Sequence, residues 1–395
     1  MKVYADNAAT TKISEAALEK FNTVSLETYG NPSSLYSIGQ DAKKVLEDSR
    51  AEIAEIIGAS PKEIFFSSGG SESDNWAINS AAELGKKNGK NHIISTKIEH
   101  HAVLHTLERL EKQGFEITLL DVDEKGLINL DDLKEAINDN TALVSIMFAN
   151  NEIGTIEPIK DIGEICKFEN VLFHTDAVQA IGHIPINVED YNIDLMSASA
   201  HKFHGPRGVG FLYVRSGINL TNLIEGGAQE RGKRAGTENV AGIAAMAVAL
   251  EERMQNLETT QEKLSSLRDK LIKKLRMIPH SALNGDEVCR LPGNVNFCFE
   301  DIEGESLLLL LDERGISASS GSACTSGSLD PSHVLLAIGR IHDVAHGSLR
   351  LSFGEDVTEE QIDYIAEQVK EVVEYLRGFS PVWRDLMEGK REFIL

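Results

Sequence analysis

Apolar residues along this chain fall into two alternating rhythms. Residues 41–57 place Ala42, Val45, Leu46, Ile53, Ile56 and Ile57 on one helical face and stop at Gly58, which predicts a helix closed by glycine just past its end. Short apolar runs then recur at 63–67, 92–96, 116–121, 142–148, 171–175, 193–197 and 209–214, each read as a strand. Helical patterns separate several of them: 71–84 ending at Gly85, 101–113 closed by Gly114, and 131–137. Strands alternating with helices predict an α/β domain built on a mainly parallel sheet. Residues 2–11 are polar and turn-like, an arm rather than an element.

The rhythm changes after Thr237. A small-residue helix from about 240 to 250 passes into a charged one reaching about 275, stopped by Pro279. A strand at 294–299, a leucine-rich helix at 305–313, a helix starting near Pro331 and a strand at 348–353 follow. The last helix opens on Thr358 and Gln361, a capping box, and is read as closing at Gly378. The expected organisation is an arm (1–14) packing with the small domain, a large domain (15–254), and a smaller C-terminal α/β domain (255–395).

Composition narrows the class. At 395 residues the chain exceeds what one core normally supports, so two domains are the default. Lys+Arg 39 against Asp+Glu 62 gives a net charge of −23, which argues against a general nucleic-acid or membrane-surface binder. Four cysteines form no CxxC pair and are too few for a disulfide framework. No export signal and no membrane-spanning apolar run is visible, so a cytoplasmic protein is expected.

Candidate chemistry clusters at strand ends. Lys202 follows the run at 193–197 and precedes Gly205, Pro206, Gly208 and Gly210, in a tight loop without helical periodicity. It is either a solvated loop lysine or an amine nucleophile toward an aldehyde. The stretch SSGGSESDN (67–75) sits at a strand-to-helix turn. It suits a phosphate, or an ordinary glycine turn with a serine cap. Asp176 follows an apolar strand, at the rim where α/β sheets bind ligands, or serves as a helix cap. His100 could stack on a flat ring or have no role. His101 and His105 have i, i+4 spacing but no HExxH or further ligand, so no metal site is read there. Cys166 and Cys298 lie in patterns that bury them, whereas Cys324, in SASSGSACTSGS, lies in a Ser/Gly run that cannot. It is either reactive or an incidental surface cysteine. An acid and an amine on neighbouring strand ends are what pyridoxal 5′-phosphate (PLP) requires.

Over nearly its whole length the chain resembles the cysteine desulfurases of the NifS/IscS type, PLP enzymes of aminotransferase class V. The resemblance rests on YADNAATT, YGNPSS, SSGGSESDN, EHHAVL, NNEIGT, HTDAVQAIG, SAHKFHGPRGVG, GGAQERGKRAGTEN, SSGSACTS and SLRLSFG, in that order. It implies a PLP fold-type-I homodimer that takes sulfur from L-cysteine, releases L-alanine and delivers the sulfur to an iron–sulfur scaffold or another acceptor, as in tRNA thiolation. By the same resemblance Lys202 is the Schiff-base lysine, Asp176 the partner of the pyridine nitrogen, Gln179 that of the ring hydroxyl, and His100 the stacked ring. Ser71, Ser199 and His201 are phosphate ligands in the turn that includes Gly70, with Thr237 reaching in from the other subunit. Asn151 and Arg350 hold the substrate, and Cys324 takes its sulfur. No catalytic role is assigned to the arm. Gly70-Ser71 replaces the more usual Ala-Thr, which keeps the hydroxyl but loosens the turn. A selenocysteine lyase or another class V aminotransferase is the alternative within the cofactor class, and a non-catalytic sulfur-relay partner is the alternative outside it.

Overall fold

The computed structural model describes residues 1–320 and 331–395. Cys324 therefore lies outside the described residues. In chain order the elements are β1 (Val3–Tyr4), α1 (Glu15–Glu27), α2 (Ser37–Ile56), β2 (Ile64–Ser67), α3 (Gly70–Lys87), β3 (His92–Thr96), α4 (His101–Glu111), β4 (Glu116–Leu120), α5 (Leu130–Ala136), β5 (Thr141–Ser145), α6 (Ile159–Phe168), β6 (Leu172–Asp176), β7 (Leu195–Ser199) and β8 (Gly210–Val214). Then come α7 (Gln229–Gly232), α8 (Val240–Gln255), α9 (Leu257–Leu275), β9 (Ser281–Leu283), β10 (Asn294–Phe299), α10 (Gly304–Glu313), β11 (Ile316–Ser317), α11 (His333–Ala337), α12 (His342–Ala345), β12 (Ser348–Ser352), α13 (Glu359–Phe379) and α14 (Pro381–Met387). No helix among the described residues is long and apolar enough to cross a membrane.

Seven strands form the large sheet in the order β2-β8-β7-β6-β5-β3-β4. Strands β4, β3, β5, β6 and β7 are mutually parallel, and β8 runs against both its neighbours. The carboxyl ends of β2, β3, β5, β6 and β7 therefore open on one rim. All five residues of β3, β5 and β7 are buried, as expected of parallel strands covered by helices on both faces. Apolar clusters fill both faces, one around Phe173, Phe203 and Phe211 and the other around Trp76, Leu143 and Leu212.

A separate core gathers α9, β10, α10, β12 and α13 around Phe297, Leu307, Leu349 and Val369. The three-stranded antiparallel sheet β12-β10-β9 is its backbone. Helix α8 packs into the large core and α9 into this one, and Asn256 separates them.

Several boundaries differ from expectation for identifiable reasons. Gly85 lies inside α3, not beyond its end. A Cβ there would stand 2.4 Å from Ala142 Cβ, so this glycine lets α3 lie close against β5. Gly378 lies within α13, whose Val372 and Val373 are buried, and the chain turns only at Ser380, which caps α14. The helix expected near Pro331 starts at His333, because Ser332 accepts from Val334 N and Leu335 N as its cap. Helix α1 escaped the pattern because Leu18 and Leu26 point outward while Ala17 and Val24 are buried. The arm contains an element after all. Its β1 pairs in parallel with β11, and Asp6 bridges to Ser352 of β12.

Candidate active site

The rim of the large sheet surrounds a cavity of about 410 Å³. Strand β6 ends on Asp176 and β7, its parallel neighbour, on Ser199, with Asp176 opposite Ser197 in the register. A single 3₁₀ turn, Ala200–Lys202, then carries Lys202 into the cavity. His183 holds that turn through a 2.9 Å contact of Nε2 with the Lys202 carbonyl. Lys202 Nζ donates to Ala8 O at 2.5 Å and Ala9 O at 2.9 Å.

Asp176 is buried, and its Oδ1 accepts from Val178 N at 2.9 Å. Burial pushes its carboxyl above the ordinary value, while His100 and Lys202 pull it back. Asp74 also lines the cavity and is held well above the ordinary range by burial and then by Asp176. Asp74 Oδ1 is buried with no hydrogen-bond partner among the described residues and lies 3.7 Å from His174 Nε2. Two buried acids side by side cannot both ionise readily.

His100 caps α4, accepting from Ala102 N through Nδ1 at 3.1 Å. Burial lowers its pKa, against the pull of Asp176. Neutral imidazole bonded this way carries its proton on Nε2. Beyond β2, the turn into α3 is bare backbone. Gly69 has φ +146°, and a Cβ on Gly70 would lie 2.5 Å from Val178 Cγ2. Ser71, Ser199, His201 and Arg207 face the recess at this helix N-terminus.

Arg350 enters from the small sheet. It is 2% exposed. Nη2 donates to Asp6 Oδ1 at 2.7 Å and Nη1 to Asn151 O at 3.1 Å. Gln179 Nε2 donates to Ala8 O at 2.9 Å. Of the residues singled out from the sequence, Gly70, Ser71, His100, Asn151, Asp176, Gln179, Ser199, His201, Lys202 and Arg350 all line the one cavity. Thr237 does not line it; its residue is exposed, and Arg234, nearby in the chain, pairs with Glu72 in the first turn of α3. Sequence reasoning missed Asp74 and the arm. Ala8 and Ala9 of the arm line the cavity and Asp6 pairs with Arg350 beside it; only the motif YADNAATT marked them.

The family model for class-V aminotransferases matches residues 3–365. The chain belongs to the class-V aminotransferase family. This PLP-dependent family includes the cysteine desulfurase IscS of Clostridium botulinum, 56% identical over 394 residues and covering 99% of both chains. Among solved structures, a NifS-like protein matches with TM-score 0.89 and 40% identity, over 95% of this chain and 100% of that one. SspA in complex with cysteine matches with TM-score 0.78 and 36% identity, over 89% and 98%. Such neighbours identify the class-V architecture as PLP fold type I. The residues present fit that cofactor. A buried carboxylate with spare acceptor sites awaits a protonated ring nitrogen, and a glycine turn at a helix N-terminus suits a phosphate.

Proposed function

We propose that this class-V enzyme is a cysteine desulfurase that converts L-cysteine to L-alanine and passes the sulfur to Cys324. What carries the reading is one cavity that holds an amine, Lys202, beside a buried acid, Asp176, and a buried guanidinium, Arg350. Close kinship to desulfurases supports it. When bound, PLP supplies an electron sink for the bonds of the substrate α-carbon.

In this proposal the protein's own residues do the rest. Asp176 would keep a proton on the ring nitrogen, and His100 would stack on the ring. Gln179 would partner the ring hydroxyl. Ser71, Ser199 and His201 would hold the phosphate around the turn at Gly70, and Thr237 of the partner subunit would complete the cradle. Arg350 and Asn151 take the substrate carboxylate, which orients the Cα–H bond toward Lys202. Lys202 would hold the cofactor through Nζ, and in turnover the same Nζ would carry the Cα proton. Cys324 Sγ, as thiolate, attacks the substrate sulfur. The S–S bond forms as the C–S bond breaks, and its electron pair stays on Cβ, where protonation gives alanine.

The division into arm (1–14), large (15–254) and small (255–395) domains belongs to the same proposal, as do a homodimer, a reducing cytoplasm and an iron–sulfur scaffold or other sulfur acceptor. The test is one turnover of PLP-loaded protein with L-cysteine, followed by mass mapping of the cysteines. Alanine and an extra sulfur on Cys324 are expected. Alanine formed with the sulfur on Cys166, Cys289 or Cys298 would move the acceptor role elsewhere, and no alanine would end the proposal.

A further inference from the structure

A guanidinium carries five N–H donors in one plane. In Arg350 two are engaged, one by Asp6 and one by Asn151 O, and Nε is buried without a partner among the described residues. Nε–H and the second hydrogens of Nη1 and Nη2 thus have no acceptor among the described residues, and Arg350 lines the cavity. An arginine this deeply buried needs a counter-ion before any ligand arrives, since an unpaired buried charge is strongly destabilising. Asp6 is that counter-ion, and its side chain remains 19% exposed while that of Arg350 is 2% exposed.

The backbone fixes the pair. Asp6 bridges to Ser352 in β12, and Arg350 stands two residues earlier on the same strand. Residues two apart on a strand share a face. Tyr4 Oη donates to Thr10 O at 2.8 Å, with Asp6 O also within 3.1 Å, which folds the arm at this spot. The same arm supplies the carbonyls of Ala8 and Ala9 to Lys202.

We infer that Asp6 is a positioning residue for substrate: it holds the Arg350 fork in one plane so that its remaining donors grip the α-carboxylate at a set distance from Lys202. The inference rests on the proposed role of Arg350. Removing the Asp6 charge frees the guanidinium to rotate, and a bidentate grip depends on its orientation. Asp6 thus contributes to recognition of the carboxylate and not to attachment of the amine.

The test uses PLP-loaded protein titrated with L-alanine and with ethylamine, which lacks the carboxylate, following the absorbance of the bound cofactor. Asp6→Asn should weaken L-alanine about tenfold or more, the scale of one hydrogen bond to a charged group, and leave ethylamine unchanged. Asp6→Glu, which keeps the charge but displaces it, should show a smaller selective loss and serves if Asp6→Asn does not fold. Arg350→Lys should also weaken L-alanine selectively. If it does and Asp6→Asn leaves L-alanine unchanged or tighter, the inference about Asp6 fails alone. Equal weakening of both ligands by Asp6→Asn would also overturn it, since a merely loosened arm would do that. If Arg350→Lys has no selective effect, the role of Arg350 fails and the inference with it.

Discussion

The two walls of the cavity are built in opposite ways. On the sheet wall, Asp176, Ser199 and Lys202 come from adjacent parallel strands with every residue of β7 buried. Their positions follow from the sheet register, and a helix N-terminus and backbone amides satisfy much of what they need. The other wall joins Asp6 of the arm to Arg350 of the small sheet, side chains brought together by the pairing of the arm with β11 and β12 and not by the register of one continuous sheet. In the proposed function the sheet wall would hold the cofactor, and the wall whose arginine keeps donors without acceptors among the described residues would hold the substrate.

The sharpest way to separate the walls is at Lys202. Lys202→Ala should lower turnover by about 10³-fold or more, within the range for a lost nucleophile and proton carrier. Borohydride treatment followed by peptide mass analysis should find cofactor fixed to Lys202 in the native protein and to no residue in the variant. Finding it on another lysine in the native protein would break the assignment of the sheet wall.

On the opposite wall, Arg350→Lys should keep the cofactor and its absorbance but lower kcat/KM for L-cysteine about 100-fold. Lysine offers a point charge where a planar fork is needed. Loss of cofactor in this variant would mean that the walls do not divide the work as described.

A milder distinction comes from pH. Burial pushes His183 down to about 3 and His201 to about 4, against an ordinary 6.5. Below 6.5 the unfolded chain takes up protons that the folded protein refuses. Stability from these groups is therefore complete above 6.5 and falls as pH drops toward 4 and then 3. Glu99 and Glu157, pushed up to about 8 by burial, act the other way, losing stability as pH rises from 4.5 to about 8. The difference between proteins isolates one group: thermal midpoints of His183→Gln should fall less steeply than those of the native protein below pH 6.5. Parallel curves would show that the sheet wall does not rely on neutral His183.

The smallest expected effect is at Ser71, which is exposed at the phosphate recess. Ser71→Ala should weaken PLP by about two- to tenfold, the worth of one ordinary hydrogen bond, measured by cofactor dissociation. A loss far beyond that would place more of the cradle on side chains than on the α3 backbone.

What was legible in the sequence tracks the same division. The sheet wall could be read because apolar strands announce themselves and each ends on a distinctive residue: Asp176 after LFHT, Lys202 after SASAH. Cys166 and Cys298 were legible too, since their patterns match their burial. The arm was not. Residues 3–10 are too short and polar to show a period, and their partners lie hundreds of positions away. Nothing in local propensity encodes such contacts. Glycine misled in both directions: Gly58 and Gly114, at φ +72° and +94°, do end their helices, while Gly85 and Gly378 lie inside theirs.

The tie between Asp6 and Arg350 also has a meaning in time. It joins residues 344 positions apart, so it forms only after β12 has left the ribosome. Domains generally fold as units during synthesis, N-terminal parts first, and β2 through β8 are complete by Val214. A nascent chain thus acquires its acid, its lysine and its glycine cradle long before it acquires the arginine. During that interval the growing chain holds the sheet residues proposed for the cofactor and still lacks the guanidinium proposed for the substrate.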